Sequence, residues 1–180
     1  MKLKEIAELL RAFMPNLAFQ RIEDQLGDPY WILEPEDLKR VARLLKRDPL
    51  LDFDTLMCLS GVHLIEEPES LEVVYHLFSL QHRHRLVFKV LLERPPGLTH
   101  YFLRIPTVSD LWSAAAWMER EAFDMFGIHF AGHRDMRRLL LPHDWQGHPL
   151  LKDYREYEDY RGVSTTRDDA EPETDERQMA

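Results

Sequence analysis

Two runs rich in β-branched and aromatic residues, LEVVYHLF (71–78) and RLVFKVLL (85–92), constrain this chain more than any other pattern in it. Such residues favour a pleated, half-buried backbone. The link SLQHRH between them is polar and short enough to return the chain. The pair reads as a β-hairpin. Further strands are expected at Leu17–Gln25, at Tyr30–Leu33, near Thr55–Cys58 within the apolar stretch 53–65, and at His100–Ile105. The RPPG sequence at Arg94–Gly97 reads as a turn.

Helices fill much of the remainder. Leu3, Ile6, Leu10 and Phe13 recur at helical spacing until Pro15. Pro35 opens a second helix, with Glu36 and Asp37 in its first turn and Leu38, Val41, Ala42 and Leu45 on its apolar face. Lys46 and Arg47 lie at its C-terminal end, where cations suit the dipole. The third helix carries Leu111, Ala114, Ala115, Met118, Ala122, Met125 and Phe126 on one face. Thr107 and Asp110 have the spacing of a capping box, with Ser109 as an alternative cap, and Gly127 is its stop. Four or five strands with long helices predict an α+β fold. It is a two-layer sandwich of helices on a largely antiparallel or mixed sheet. The predicted division is a globular domain over 1–130, an extended irregular C-terminal arm that docks partners over 131–162, and an acidic, flexible tail over 163–180.

Charge and cysteine content narrow the function classes. The formal net charge is −9, which disfavours nucleic acid as a partner. Nine acidic residues and four arginines follow from Tyr154 onward, so that stretch carries −5 and the preceding 153 residues carry −4. The acidity is a property of the tail. Cys58 is the only cysteine. It suits a reducing compartment, excludes an iron–sulfur cluster held by this chain alone, and in its apolar context TLMCLSGV reads as a core residue. No apolar run is long enough to span a bilayer, and the N-terminus reads as neither a signal nor a transit peptide.

Several constellations invite chemistry. His129, His133, His143 and His148 lie near Asp135 and Asp144 in the chain, but Gly127 and Gly132 bracket the first pair and no HExxH pattern is present. Hydrogen bonding to loop backbone is the preferred reading, and no metal is assigned. Glu119, Glu121 and Asp124 fall opposite the apolar helix face, where charges usually meet solvent or ion-pair. No activated nucleophile and no glycine-rich phosphate loop is found, so no catalytic or cofactor-binding residue is assigned. The arm itself carries arginines beside aromatic residues, the types that dominate interface contacts. Arg137 and Arg138, adjacent in an extended segment, would point to opposite sides. So long an irregular run is expected to need external contacts.

The segment EREAFDMFGIHFAGHRDMRRLLLPHDWQGHPLLKDY (119–154) resembles the signature of the 30 kDa subunit of respiratory complex I, the C subunit of NADH:quinone oxidoreductase. Its elements here are Glu119-Arg120-Glu121, Phe123–Ile128, Phe130, Gly132-His133, Arg137-Arg138, Leu140–Pro142, Asp144-Trp145, Gly147–Pro149 and Lys152–Tyr154. Arg134 departs from the proline common in the family. The resemblance implies a non-catalytic structural or assembly subunit of the peripheral arm, on the cytoplasmic side of the bacterial inner membrane and bound to the membrane only through the complex. It implies no cofactor on this chain, with FMN and iron–sulfur clusters on other subunits. It implies partners among the peripheral-arm subunits, chiefly the D subunit of the quinone site with the B and I subunits, and a form not fused to the D subunit. The interface residues it implies are Arg137, Arg138, Asp144, Trp145, His148, Pro149, Lys152, Asp153 and Tyr154. The alternatives are the equivalent subunit of a membrane-bound hydrogenase or deazaflavin-dependent complex, or a free-standing His/Asp metalloenzyme.

Overall fold

A computed structural model describes residues 3–17, 19–22, 29–66, 69–94 and 103–165. In chain order the elements are α1 (Leu3–Phe13), β1 (Phe19–Ile22), β2 (Tyr30–Leu33), α2 (Leu38–Arg47), β3 (Thr55–Leu64), β4 (Ser70–Phe78) and β5 (Arg85–Glu93). Then follow β6 (Arg104–Pro106), α3 (Ala115–Phe126), β7 (His129–Ala131), β8 (Asp159–Tyr160) and β9 (Val163–Ser164). The RPPG turn lies outside the described residues except for Arg94. So do Gln25 of the first expected strand and the start of the expected strand at His100–Ile105.

The hairpin forms as its residues predict. β4 and β5 pair antiparallel from Ser70↔Glu93 to Phe78↔Arg85, and β3 pairs antiparallel with β4. β2 joins β5 in parallel and β1 joins β2 antiparallel, giving the order β1-β2-β5-β4-β3. Period-two alternation sends Leu71, Val73, Tyr75 and Leu77 of β4 into the core with Leu86, Phe88, Val90 and Leu92 of β5. Tyr75 and Phe88 lie directly across from each other, and their rings stack with centroids 4.6 Å apart. Trp31 and Leu33 extend this surface on β2. Ile6, Ala7 and Leu10 of α1 and Leu38, Val41, Ala42 and Leu45 of α2 complete the same core. The other sheet face is mixed, with Lys89 Nζ 3.0 Å from Glu72 and over the Tyr30 ring.

Three local expectations fail for physical reasons. Cys58 is exposed, because the register shift between Leu56 and Cys58 on the edge strand β3 turns it outward. The capping box at Thr107 does not form. The helix starts at Ala115 after a run of turns, and its cap residue Ala114 offers no side-chain bond. Asp110 instead pairs with Lys39 of α2, and Thr107 donates its hydroxyl to Glu119. Finally, the polar side of α3 is solvated at Glu121 but not throughout. Glu119, Arg120 and Asp124 are buried, as Ala115 and Ala122 are. One flank of α3 packs on β3, and the chain after β7 returns to cover the flank that amphipathic spacing assigns to water.

Candidate functional site

Between β7 and β8 the chain forms turns and bends with no helix or strand. Such a run offers backbone N–H groups that no ladder satisfies, and buried donors require acceptors. Asp124 supplies one. Its Oδ2 accepts the successive N–H groups of Leu139, Leu140 and Leu141 at 2.9, 2.8 and 2.9 Å. Its Oδ1 accepts from Arg138 at 2.7 Å. Burial alone would raise this carboxyl, but the Leu141 N–H, the Arg138 guanidinium and the Leu140 and Leu139 N–H groups outweigh it and hold it below the ordinary carboxylate range. Arg138 then spends its other nitrogen on the carbonyls of Trp145 and Gly147 at 2.8 and 2.9 Å. Arg120 donates to the carbonyls of Arg137 and Arg138.

Farther along, the arm is fastened at the end of the sheet where β3 finishes and β4 begins. The N–H of Lys152 donates to Nδ1 of His63 at 2.9 Å, so the His63 proton sits on Nε2 and faces Glu69 at 2.7 Å. Arg94 bridges Glu69 and Asp153 at 2.5 and 2.7 Å. Leu150 N–H reaches the Met125 carbonyl. His148 hydrogen-bonds the Asp124 carbonyl, and burial first of all lowers its pKa. Gly127 ends α3 with φ +76°, and a Cβ there would lie 2.8 Å from the His148 ring. Outside this, Trp145 Nε1 donates to Tyr154 Oη at 3.1 Å. The β8–β9 hairpin clamps Asp144 through Tyr160 and Arg161, and the Arg161 bonds, chiefly, lower the Asp144 carboxyl to about 2.

The nine expected interface residues thus fall into three groups. The side chains of Arg138, His148, Asp144, Trp145, Asp153 and Tyr154 bond to other parts of the chain. Arg137, whose side chain is 74% exposed and pairs with its near neighbour Asp135, and Lys152 turn outward, and Pro149 is half-buried. Arg137 and Arg138 do point to opposite sides, one inward and one out. The arm makes many of its hydrogen bonds within the chain. The β8–β9 hairpin, which no periodicity predicts, pairs Asp159–Tyr160 with Val163–Ser164. Among the described residues no group of three or more His, Cys, Asp or Glu side chains is placed to hold a metal ion. His133 spends Nε2 on the Ala116 carbonyl and Nδ1 on the Asp135 N–H.

Up to Tyr160, the segment with this geometry lies inside a matched family region. Residues 31–160 match the family described as respiratory-chain NADH dehydrogenase, 30 Kd subunit. The chain belongs to this family. A relative from Roseiflexus sp. (strain RS-1), named as the C subunit of NADH-quinone oxidoreductase, is 41% identical over 148 residues, covering 82% of this chain and 81% of the relative. A protein of the same name from Chloroherpeton thalassium is 39% identical over 161 residues, covering 82% of this chain and 64% of that protein. A chain from the structure of the membrane-bound sulfane sulfur reductase, an archaeal respiratory membrane complex, shares the fold. It superposes with TM-score 0.59 at 21% identity over 77% of this chain and 75% of that one. Among the described residues no helix is long and apolar enough to cross a membrane.

In this member of the 30 kDa family a second buried carboxyl stands behind the arm. Glu119 has no exposed surface. Its Oε1 accepts the Val108 N–H at 2.7 Å and its Oε2 the Thr107 hydroxyl at 2.5 Å. The ring of His133 is 4.0 Å away. Burial is the largest influence and raises its pKa to about 7, against the smaller lowering by these two donors. Sequence reasoning missed Glu119 and Asp124 as buried. A signal was present: a long irregular run rich in unpaired donors directly follows a helix bearing carboxyls on its supposedly wet face.

Proposed function

We propose that this chain is a non-catalytic structural subunit of the peripheral arm of a respiratory NADH:quinone oxidoreductase. The complex passes electrons from NADH to quinone and couples this to proton translocation. The subunit lies on the cytoplasmic side of the bacterial inner membrane and touches the membrane only through its partners. Flavin and iron–sulfur clusters reside on other subunits. The observation that carries this reading is the family match running through the arm, 31–160, together with relatives named for one subunit of that oxidoreductase. The geometry supports a recognition role. Asp124, Arg138 and His63 hold the arm's backbone in place, so partner binding has little ordering entropy left to overcome. Arg137 and Lys152 are then presented outward from a fixed frame, toward the D subunit of the quinone site and its neighbours, the B and I subunits.

Deleting the arm would expose the buried face of α3 and test folding rather than docking. Charge reversal at Arg137 and Lys152 avoids this. The Arg137→Glu, Lys152→Glu chain should fold like the unaltered one and lose copurification with its neighbouring subunits. Intact assembly of the doubly reversed chain would sink the docking role.

A further inference from the structure

The main sheet has an open edge beside α3. β3 ends the strand order and has β4 on one side only. The hydrogen-bond phase of the sheet fixes which of its residues look outward. Ser79 N–H donates to the His84 carbonyl and Arg94 N–H to the Glu69 carbonyl, so the odd-numbered residues of β4 bond to β5 and the even-numbered ones to β3. Those even-numbered residues face Cys58, Ser60, Val62 and Leu64. The N–H and C=O groups of Leu59 and Gly61 therefore point away from β4. Among the described residues no backbone bond reaches them from that side.

This stretch lacks the charges and prolines that usually protect an edge. Residues 57–62 read MCLSGV, and Met57 and Val62 are exposed. The bulge at Leu56/Cys58 bounds it at one end. The arm bounds it at the other, where the Lys152 N–H meets His63. Leu59 and Gly61 line a groove here with Ala122 and Met125 of α3 and Leu150 of the arm, and Glu121 stands at its rim. The Glu121 carboxylate is exposed and has no ion-pair partner among the described residues. A helix satisfies its own backbone and leaves such an edge unpaired, whereas an extended strand pairs with it. A second copy of this chain suits the groove poorly. Its β3 would arrive with its own α3 and its own Glu121, and each copy carries a net charge of −9.

We propose that the edge of β3 takes an extended segment of another subunit as an added strand, about five residues long. One apolar side chain of that segment lies over Ala122 and Met125, and a lysine or arginine lies beside Glu121. Main-chain bonds to Leu59 and Gly61 give the affinity, and the apolar and acidic positions give the selection. This rests on the chain being a subunit of a complex, as proposed above, and is independent of Arg137 and Lys152.

Residue-resolved amide hydrogen exchange tests this on the full chain, alone and in the copurified complex. The Leu59 and Gly61 amides should exchange freely in the chain alone and become protected in the complex. Ser60 and Val62, which face β4, should be protected in both. Glu121→Arg, at an exposed site, should fold normally and lower the Leu59 and Gly61 protection factors in the complex by about three- to tenfold. Cys58, the only cysteine and an exposed one, gives a second readout. A photo-cross-linker on Cys58, then on Ser60→Cys in a Cys58→Ser chain, should mark one partner subunit at sites two residues apart, because paired strands advance in step. Unchanged exchange at Leu59 and Gly61 in a complex that does copurify overturns the added strand and leaves the subunit role standing. Cross-links to a second copy of this chain, or to partner sites without the two-residue step, overturn it as well. A chain with which no subunit copurifies removes both.

Discussion

Replacing Asp124 by asparagine changes one atom and should cost the protein a large part of its stability. The carboxylate serves donors on both oxygens: three N–H groups on Oδ2 and the Arg138 guanidinium on Oδ1. Asparagine has one acceptor and one donor end. Turned one way, its NH2 faces the three backbone N–H groups. Turned the other way, it faces the guanidinium. Either orientation sets donor against donor in a site with no exposed carboxylate surface, and leaves Arg138, 17% exposed, without its counter-charge. Breaking a buried pair by removing one partner costs about 3–5 kcal/mol. Stranded backbone donors act in the same direction, although their costs do not add simply. We therefore expect Asp124→Asn to lose about 3–5 kcal/mol, a large share of the roughly 5–15 kcal/mol typical of a domain. Urea unfolding should read this as a lower midpoint, and limited proteolysis should cut first within 134–150. Glu121→Gln, at an exposed site on the same helix, should stay within about 0.5 kcal/mol of the unaltered chain. An Asp124→Asn loss below about 1 kcal/mol would refute the claim that this carboxylate organises the arm.

Other outcomes follow from the same contacts. The raised pKa of Glu119 means that the folded chain holds a proton between pH 4.5 and about 7 that the unfolded chain releases. Its contribution is therefore complete below pH 4.5 and is lost as pH rises toward 7, a change of about 3 kcal/mol. Glu119→Gln should remove that slope, so its stability relative to the unaltered chain rises between pH 4.5 and about 7 in paired urea titrations, and parallel curves would contradict it. Asp124 works in the opposite sense. Its carboxyl is depressed, so its contribution is present above about pH 4 and fades as pH falls through the folded value; arm proteolysis should accelerate there. Gly127→Ala combines a positive φ with a Cβ against the His148 ring, and should lower the melting temperature, with a loss of about 1–3 kcal/mol. Trp145→Phe removes the donor to Tyr154 and should cost about 1 kcal/mol in unfolding experiments while leaving the sheet core unchanged.

What the sequence alone could determine was the layer that obeys periodicity. Alternation in 71–78 and 85–92 specified the hairpin and its inward face, and the i, i+3, i+4 pattern specified α2, because in these elements a side chain's direction follows from its position in the repeat. The motif string at 119–154 specified the family. Only the tertiary structure decided where the polar residues of α3 belong. The helical repeat puts Asp124 opposite the apolar stripe and Glu119 at its edge, and says nothing of what covers either. The covering segment has no repeat, and its path is set by donors seeking acceptors: Leu139, Leu140 and Leu141 at Asp124, Arg138 at two carbonyls, Lys152 at His63. The Leu139–Asp124 pair is 15 positions apart in the chain and the Lys152–His63 pair 89. Hydrogen bonds across such separations are matched by three-dimensional closure, whereas local spacing records only which face of one element is greasy.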